Sequence, residues 1–322
     1  MEMAETTVLA ARLHEHGQPL VLERTDLAQP GNDEVRVELE YAGVNPVDSY
    51  VAAGRVAPDA PLPRTLGGEA AGTVDGRRVM VAGEGLGATR DGVWAQAAVV
   101  PSSAVIALPD GVETRAAAAM GVAGLTAWKV VRELAAVGPD DRVLVLGASG
   151  GVGSVIVSLA ATAGATVWGQ TGSPDKSALI ERHGADHVVV SGPDDLEAAL
   201  SELEPTVVFD PLGDGFTPAS VQALSARGRL VSFGTSAGPE VRLNMQTVYR
   251  KMLAVLGYGG MTLSTEERRA GLEAALAALR DGDLRVAIDT VLPLEEVEEA
   301  FRRLEQRRVQ GKLLLELSRG AA

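Results

Sequence analysis

The chain has 322 residues, 46% of them hydrophobic and 22% charged, a balance that suits a two-domain globular enzyme and excludes a disordered chain. Its formal net charge of -14 repels phosphate backbones, so nucleic acid is excluded as a partner and any anionic ligand must be held by a few local donors. There is no cysteine, which removes disulfides, thiolate nucleophiles and cysteine-ligated zinc together.

Residues 1–5 lack the basic residues and apolar run of a secretion signal, and no segment approaches the ~20 uninterrupted apolar residues of a membrane span. A cytoplasmic protein without a membrane partner is expected. Segments 8–13 and 20–23 alternate weakly and 35–40 alternates cleanly, so the opening reads as antiparallel β structure, with a turn at Pro30-Gly31. In Val44-Asn-Pro-Val-Asp-Ser-Tyr50 the Asn-Pro pair marks a turn and Asp48 caps a short helix ending at Gly54. The β pattern resumes at 71–74, 77–81 and 93–100. From Thr114 an alanine-rich texture predicts two helices, the second broken by Pro139-Asp-Asp141. Two histidine pairs, His14/His16 and His183/His187, have no third ligand in pattern and are read as loop or element-end residues, so no metal site is expected.

The stretch 142–154 organises the rest. An apolar run, Arg142-Val-Leu-Val-Leu146, breaks into Gly147-Ala-Ser-Gly-Gly-Val-Gly153 and resumes as an apolar helix pattern. Small residues there let the main chain approach a pyrophosphate, and the helix start beyond them offers unpaired N–H groups and a partial positive charge. Gly150 and Gly153 hold the second and third glycine positions of the dinucleotide fingerprint; Ala148 stands at the first. Helix and strand patterns then alternate: helices at 152–163, 174–182, 194–202 and 216–226, strands at 166–170, 187–190, 206–210 and 229–233, and a sixth strand at 253–257. Strands alternating with helices of about ten residues imply parallel β-α-β units in a doubly wound sheet. A helix at 265–280, a strand at 286–291, a helix at 294–304 and a strand at 312–317 follow, and this last part is expected to rejoin the N-terminal β region.

A site that prefers NAD places an Asp or Glu about 20 residues after the glycine turn, on the adenine ribose hydroxyls. This chain has Gly169-Gln-Thr-Gly-Ser173 there and no carboxylate until Asp175, followed by Lys176. A cation with neighbouring hydroxyls suits a ribose 2′-phosphate, which favours NADPH.

Taken together, Leu13-His-Glu-His-Gly17, Ala42-Gly-Val-Asn-Pro-Val-Asp48, Gly67-Gly-Glu-Ala-Ala-Gly72, Gly124-Leu-Thr-Ala127, the glycine turn, Ser232-Phe-Gly-Thr-Ser-Ala-Gly238 and Gly311-Lys-Leu-Leu-Leu315 occur in an order that resembles the zinc-free quinone oxidoreductases, the zeta-crystallin-like branch of the medium-chain dehydrogenases/reductases. The resemblance covers nearly the whole chain. It implies an α/β fold: a Rossmann doubly wound parallel sheet domain (118–284) that binds NADPH, plus a discontinuous, mainly β, GroES-like catalytic domain (1–117 and 285–322). It implies a homodimer joined near 253–257. Carried over residue by residue, Asn45, Asp48 and Tyr50 face the nicotinamide, with Thr126 near its ring and Phe233, Gly234 and Ser236 beside its ribose. The remaining cofactor contacts are Ala148, Ser149, Gly150, Gly151, Val152, Gly153, Thr171, Gly172, Ser173, Lys176, Ser191 and Lys312. This chain departs from the group in having Ala52 and Val56 where Arg and Tyr are common, which thins the polar lining, and Ser191 where a Tyr is common. The loop between Val74 and Gly76 lacks the usual spacer and must be tight.

The expected activity is metal-free hydride transfer from NADPH to a quinone or an α,β-unsaturated carbonyl, with Tyr50 donating to the acceptor oxygen and Asn45 and Asp48 arranging the site. Two alternatives stay open: an enoyl-thioester reductase of a polyketide-type pathway, and an NADPH-binding protein with little catalysis.

Overall fold

A computed structural model describes residues 7–317; the reading of residues 1–5 lies outside the described residues. The chain forms two compact units. One comprises Met1–Val122, Leu263–Arg280 and Ile288–Ala322, the other Ala123–Thr262 and Asp281–Ala287.

The first unit opens with β1 (Thr7–Leu13), β2 (Val21–Asp26), β3 (Glu34–Val44), helix α1 (Pro46–Ala52), β4 (Arg64–Thr65), β5 (Glu69–Val74), β6 (Arg77–Ala82), β7 (Ala97–Pro101), β8 (Val105–Ala107) and helix α2 (Thr114–Ala118). Alternating residues give its strands one buried face, as in the pattern exposed-buried-exposed-buried at Arg36 to Leu39. The tight loop after Val74 is a two-residue turn in which Asp75 (φ 48) and Gly76 (φ 76) both take positive φ, the combination that matches hairpin twist. Val93 and Trp94 do not extend β7: their N–H groups donate to the carbonyls of Gly67 and Leu66 instead.

The second unit begins with α3 (Ala123–Trp128), which widens into a π-helical turn over Lys129–Leu134. It continues through β9 (Arg142–Val145), α4 (Gly151–Thr162), β10 (Thr166–Thr171), α5 (Ser177–Arg182), β11 (His187–Val190), α6 (Pro193–Ala199), β12 (Val207–Asp210), α7 (Phe216–Ala223), β13 (Arg229–Ser232), α8 (Met245–Arg250) and β14 (Ala254–Gly257). These strands form one parallel sheet in the order β11-β10-β9-β12-β13-β14. The order turns back at β9, so the first βα loop lies at the switch point of a doubly wound sheet. Val143, Leu144 and Val145 are fully buried, as a central parallel strand covered on both faces requires.

The chain then returns to the first unit with α9 (Thr265–Asp281), β15 (Ile288–Pro293), α10 (Val297–Glu305) and β16 (Lys312–Glu316). β16 runs between β15 and β3, giving the order β15-β16-β3-β5-β6-β8 with β7 also on β3. The core of this unit holds Leu39, Trp94, Val297, Leu313 and Leu315, with the Trp94 and Phe301 rings 5.6 Å apart. α9 differs from the sequence boundary at 284 by joining this unit. Its Arg269 guanidinium donates to the Ser103 and Val105 carbonyls at 3.3 and 3.0 Å, and Thr265 Oγ1 donates to Glu84 at 3.0 Å. Among the described residues no helix is long and apolar enough to cross a membrane.

Candidate active site

In the first unit, α1 starts where Pro46 supplies a preset φ at the first helical position and Asn45 stands as N-cap. The Asp48 carboxylate, at the third helical position, reaches back to accept the Asn45 N–H at 2.7 Å. The Asn45 side chain turns inward: its Nδ2 donates to Glu69 Oε1 at 2.7 Å, and its Oδ1 accepts from Lys312 Nζ at 2.5 Å. Lys312 also donates to Glu69 Oε1 at 2.5 Å, and the other Glu69 oxygen accepts the Val122 N–H at 2.6 Å. Asn45, Glu69 and Lys312 thus close a ring of hydrogen bonds drawn from α1, β5 and β16.

Glu69 is fully buried, and Asn45, Asp48 and Lys312 are nearly so. Space for the Glu69 carboxylate exists because two glycines face it. A Cβ on Gly43 would lie 2.1 Å from Oε1, and one on Gly121 2.5 Å from Oε2. Desolvation pushes Asp48 up to about 7; the bond from Asn45 N–H opposes this, the Glu69 charge adds to it and Lys312 opposes it. A carboxyl that titrates near neutrality is a group that can hold or release a proton at working pH.

Tyr50, two residues beyond Asp48, is half-buried, and the Arg55 guanidinium lies over its ring at 4.4 Å from the centroid. The Arg55 N–H donates to the Tyr50 carbonyl at 2.8 Å, which fixes the loop that carries it. Arg55 thus places a cation at the Tyr50 ring, three residues after Ala52.

In the second unit, the glycine turn spans the end of β9 and the start of α4. A Cβ on Gly153 would sit 2.3 Å from the Gly147 carbonyl, so the helix reaches the turn as closely as it does only without a side chain. Ala148 is tolerated at the first glycine position because its methyl faces Gly169, whose own Cβ would be 3.0 Å away. α4 starts at Gly150 with no side chain capping it, and Gly151, Val152 and Gly153 form its first turn. Ser149 is buried beside them.

Gln170 fastens this turn. Its Oε1 accepts the Gly147 N–H at 3.0 Å and its Nε2 donates to the Ser191 carbonyl at 2.7 Å, linking the ends of β9, β10 and β11 through one buried amide. The Ser191 hydroxyl is buried without a hydrogen-bond partner. Beyond β10, Thr171 Oγ1 accepts the Ser173 N–H at 3.3 Å, the Ser173 hydroxyl donates to Asp175, and Lys176 follows half-buried; a Cβ on Gly172 would meet nothing within 4 Å. Thr126 is buried on α3. Phe233 N–H donates to the Asp210 carbonyl, and Ser236 N–H and hydroxyl donate to that of Pro211, so the segment after β13 folds over the end of β12.

The structure thus gathers Asn45, Asp48 and Lys312 in one cluster. It sets the glycine-turn residues, Thr171 to Lys176, Ser191 and Phe233 to Ser236 around the carboxyl ends of the parallel strands. Sequence reasoning missed Glu69 and Gln170. Glu69 had a visible signal, a lone acid inside the small-residue run Gly67 to Gly72; Gln170 had none. The histidines are elsewhere: His14 pairs with Glu23 at 2.9 Å, His16 meets the Pro58 carbonyl, His183 Nδ1 meets the Leu179 carbonyl and His187 stacks on Trp168. Among the described residues no group of three or more His, Asp or Glu side chains could hold a metal ion.

An empty-handed helix start, a turn that a Cβ would fill and a buried unpartnered hydroxyl fit a dinucleotide. Comparison with known proteins agrees in kind. Residues 31–110 match the alcohol dehydrogenase GroES-like domain, and residues 183–315 match the zinc-binding dehydrogenase domain. The chain is 30% identical to a quinone oxidoreductase of Pseudomonas aeruginosa, over 93% of this chain and 97% of that protein. Among solved structures, a mycobacterial protein complexed with NADPH matches with a TM-score of 0.85 at 26% identity, covering 96% of this chain and 99% of the other. A Bacillus subtilis protein with NAD bound matches with a TM-score of 0.84 at 25% identity, covering 97% and 100%.

Proposed function

The chain belongs to the quinone oxidoreductase branch of the medium-chain dehydrogenases/reductases and is an oxidoreductase of that family, and from this we propose that it moves a hydride from NADPH to a quinone or an α,β-unsaturated carbonyl without a metal. The observation that carries the reading is Asp48: a buried carboxyl at about 7, two residues from Tyr50, in a polar cluster made without cysteine or histidine. Reduction of a carbonyl-type acceptor needs a proton as well as a hydride, and this is where the chain keeps one.

The cofactor, when bound, supplies the hydride. The turn from Ala148 to Gly153 holds its pyrophosphate with the N–H groups that open α4, and Thr171, Gly172, Ser173 and Lys176 take its ribose phosphate. Support for NADPH over NADH comes from the neutral Gln170-Thr171 end of β10, where an acid that would repel a 2′-phosphate is missing, and from Lys176. Ser191 offers its unpartnered hydroxyl, while Thr126, Phe233, Gly234 and Ser236 serve the nicotinamide end. Tyr50 donates to the acceptor oxygen as negative charge develops there, and Asn45 and Asp48 hold the helix that presents it.

A second acceptor class is kept because of Arg55: an enoyl-thioester reductase needs a cationic or amide contact for the carrier, and the guanidinium stacked on Tyr50 is a cation beside the expected donor. The test is a panel of quinones, enones and enoyl thioesters with NADPH and with NADH, followed at the nicotinamide absorbance. NADPH consumption with at least one class is expected; tight NADPH binding with no consumption across the panel overturns the enzyme reading in favour of a binding protein.

A homodimer through β14 belongs to the same reading. β14 is the edge of its sheet, and Met252, Val255 and Tyr249 on and before it are exposed. An uncovered edge strand beside an apolar surface is a self-association surface.

A further inference from the structure

We infer that Lys312 and Glu69 are positioning residues for Asn45 and Asp48, and that Lys312 works by holding this cluster and not by holding the cofactor. The inference rests on the reading of Asp48 and Tyr50 given above. Its ground is geometric. Of the three protons on the Lys312 ammonium, two are spent inside the unit, on Asn45 Oδ1 and Glu69 Oε1, and the residue is 3% exposed. The Asn45 amide has no freedom left: one end must face the ammonium and the other the carboxylate. Its backbone N–H then meets Asp48 Oδ2, so the orientation of the first turn of α1, with Asp48 on it and Tyr50 on the turn that follows, is set from β16 and β5.

A buried ion pair is weak evidence for stability, since desolvating both ions offsets much of their attraction. Here it does something an apolar pair cannot. It presents a donor to the oxygen and an acceptor to the nitrogen of one amide, and it sets opposed charges near Asp48. The groups acting on Asp48 are Glu69 from β5, Lys312 from β16 and Asn45 from the start of α1 itself. On α10, which also packs against α1, Glu299 pairs with Arg302 and Arg303, Glu298 accepts the Leu20 N–H, and Glu305 is the remaining charge.

The test compares the full-length parent with Glu69→Gln, Lys312→Arg and the neutral double variant Glu69→Gln/Lys312→Met, each checked for folding by circular dichroism. The double variant removes both charges at once and so leaves no unpaired ion to unfold the unit. Three quantities are read: the dissociation constants of NADPH and NADH by fluorescence, kcat and KM for the best acceptor, and the Asp48 carboxyl titration by carbon-13 NMR. Expected are cofactor dissociation constants within two-fold of the parent, a kcat lower by about 10- to 100-fold in the double variant, and partial recovery in Lys312→Arg. Glu69→Gln removes the negative neighbour and leaves the positive one, so the Asp48 titration moves down. A loss of cofactor affinity that accounts for the fall in kcat overturns the inference and returns Lys312 to the cofactor. So does an Asp48 titration that stays in place in Glu69→Gln. If the titration moves as expected while kcat in the folded variants is unchanged, the cluster sets Asp48 and the role of Asp48 in turnover is what fails.

Discussion

Asp48→Asn tests the electrostatics of the cluster most directly. The folded chain holds Asp48 at about 7 against an ordinary 3.8, a difference of about 3 pH units. At ~1.4 kcal/mol per unit, ionising Asp48 costs the folded state about 4 kcal/mol relative to the unfolded chain. The sign follows from the raised value: between the two pKa values the folded chain keeps a proton that the unfolded chain releases. The penalty is therefore absent below about pH 4, grows through the window from about 4 to 7 and is complete above it. Asparagine is the neutral isostere, and its Oδ1 still accepts the Asn45 N–H. The variant is expected to match the parent near pH 4, to be more stable by about 2 kcal/mol near pH 5.5, and by about 4 kcal/mol at pH 9. Urea unfolding of the two proteins across this range, followed by the fluorescence of the fully buried Trp94 in the same unit, measures the difference. A gap that does not widen with pH, or a variant less stable than the parent at pH 9, refutes the reasoning. Gained stability with lost turnover is the pattern of a group kept for chemistry at the expense of the fold.

Gly153→Ala places a Cβ 2.3 Å from the Gly147 carbonyl; a titration of nicotinamide fluorescence is expected to show at least a ten-fold loss of cofactor affinity, with a stability cost of about 1–3 kcal/mol. Lys176→Ala is expected to weaken NADPH binding while leaving NADH binding within two-fold, and equal effects on both would remove the 2′-phosphate from its role. Gln170→Leu leaves the Gly147 N–H and the Ser191 carbonyl without their partner, and calorimetry is expected to find a loss of about 1–3 kcal/mol per stranded group. Met252→Asp puts a charge on an exposed apolar residue next to the edge strand β14, and light scattering is expected to find a dimeric parent and a monomeric variant; a monomeric parent or a dimeric variant refutes the proposed interface.

The central strands of the parallel sheet were legible because they are buried on both faces and read as apolar runs, as at Val143 to Val145 and Val207 to Phe209; the edge strand β11, which is only partly buried, still occupies the same residues, His187–Val190, in sequence reading and in structure. α8 was not, since none of its six residues is buried and no period marks it. β8 is three residues long, too short for alternation to show. Trp94 was read into a strand because it is apolar and sits in an apolar run, whereas its backbone serves the loop at Leu66 and Gly67. In the cluster, Asn45 and Asp48 stand in a recognisable turn-and-cap pattern, but their inward orientation is decided by Glu69 and Lys312, which lie 24 and 267 positions from Asn45 in sequence. Local pattern carries no information about such pairings. Arg55 shows the same limit: no local pattern marks it, and only the fold shows its guanidinium over the ring of Tyr50, five residues earlier.

The place of β16 in its sheet also bears on the order in which the protein can be made. β3 acquires its second partner along Tyr41 to Val44, on the edge away from β5, only when residues 313–316 have been synthesised. Until then a growing chain carries an open strand edge in its first unit and a buried-type carboxylate, Glu69, without its ammonium. The second unit needs nothing beyond residue 287. Since domains fold as units during synthesis at about 5–20 residues per second, the nucleotide-type sheet is complete some seconds or less before the cluster that would do chemistry can assemble. A nascent chain that has exposed residue 287 but not residue 312 would hold a finished second unit and an unfinished acid cluster, and would be the form most exposed to strand-to-strand aggregation.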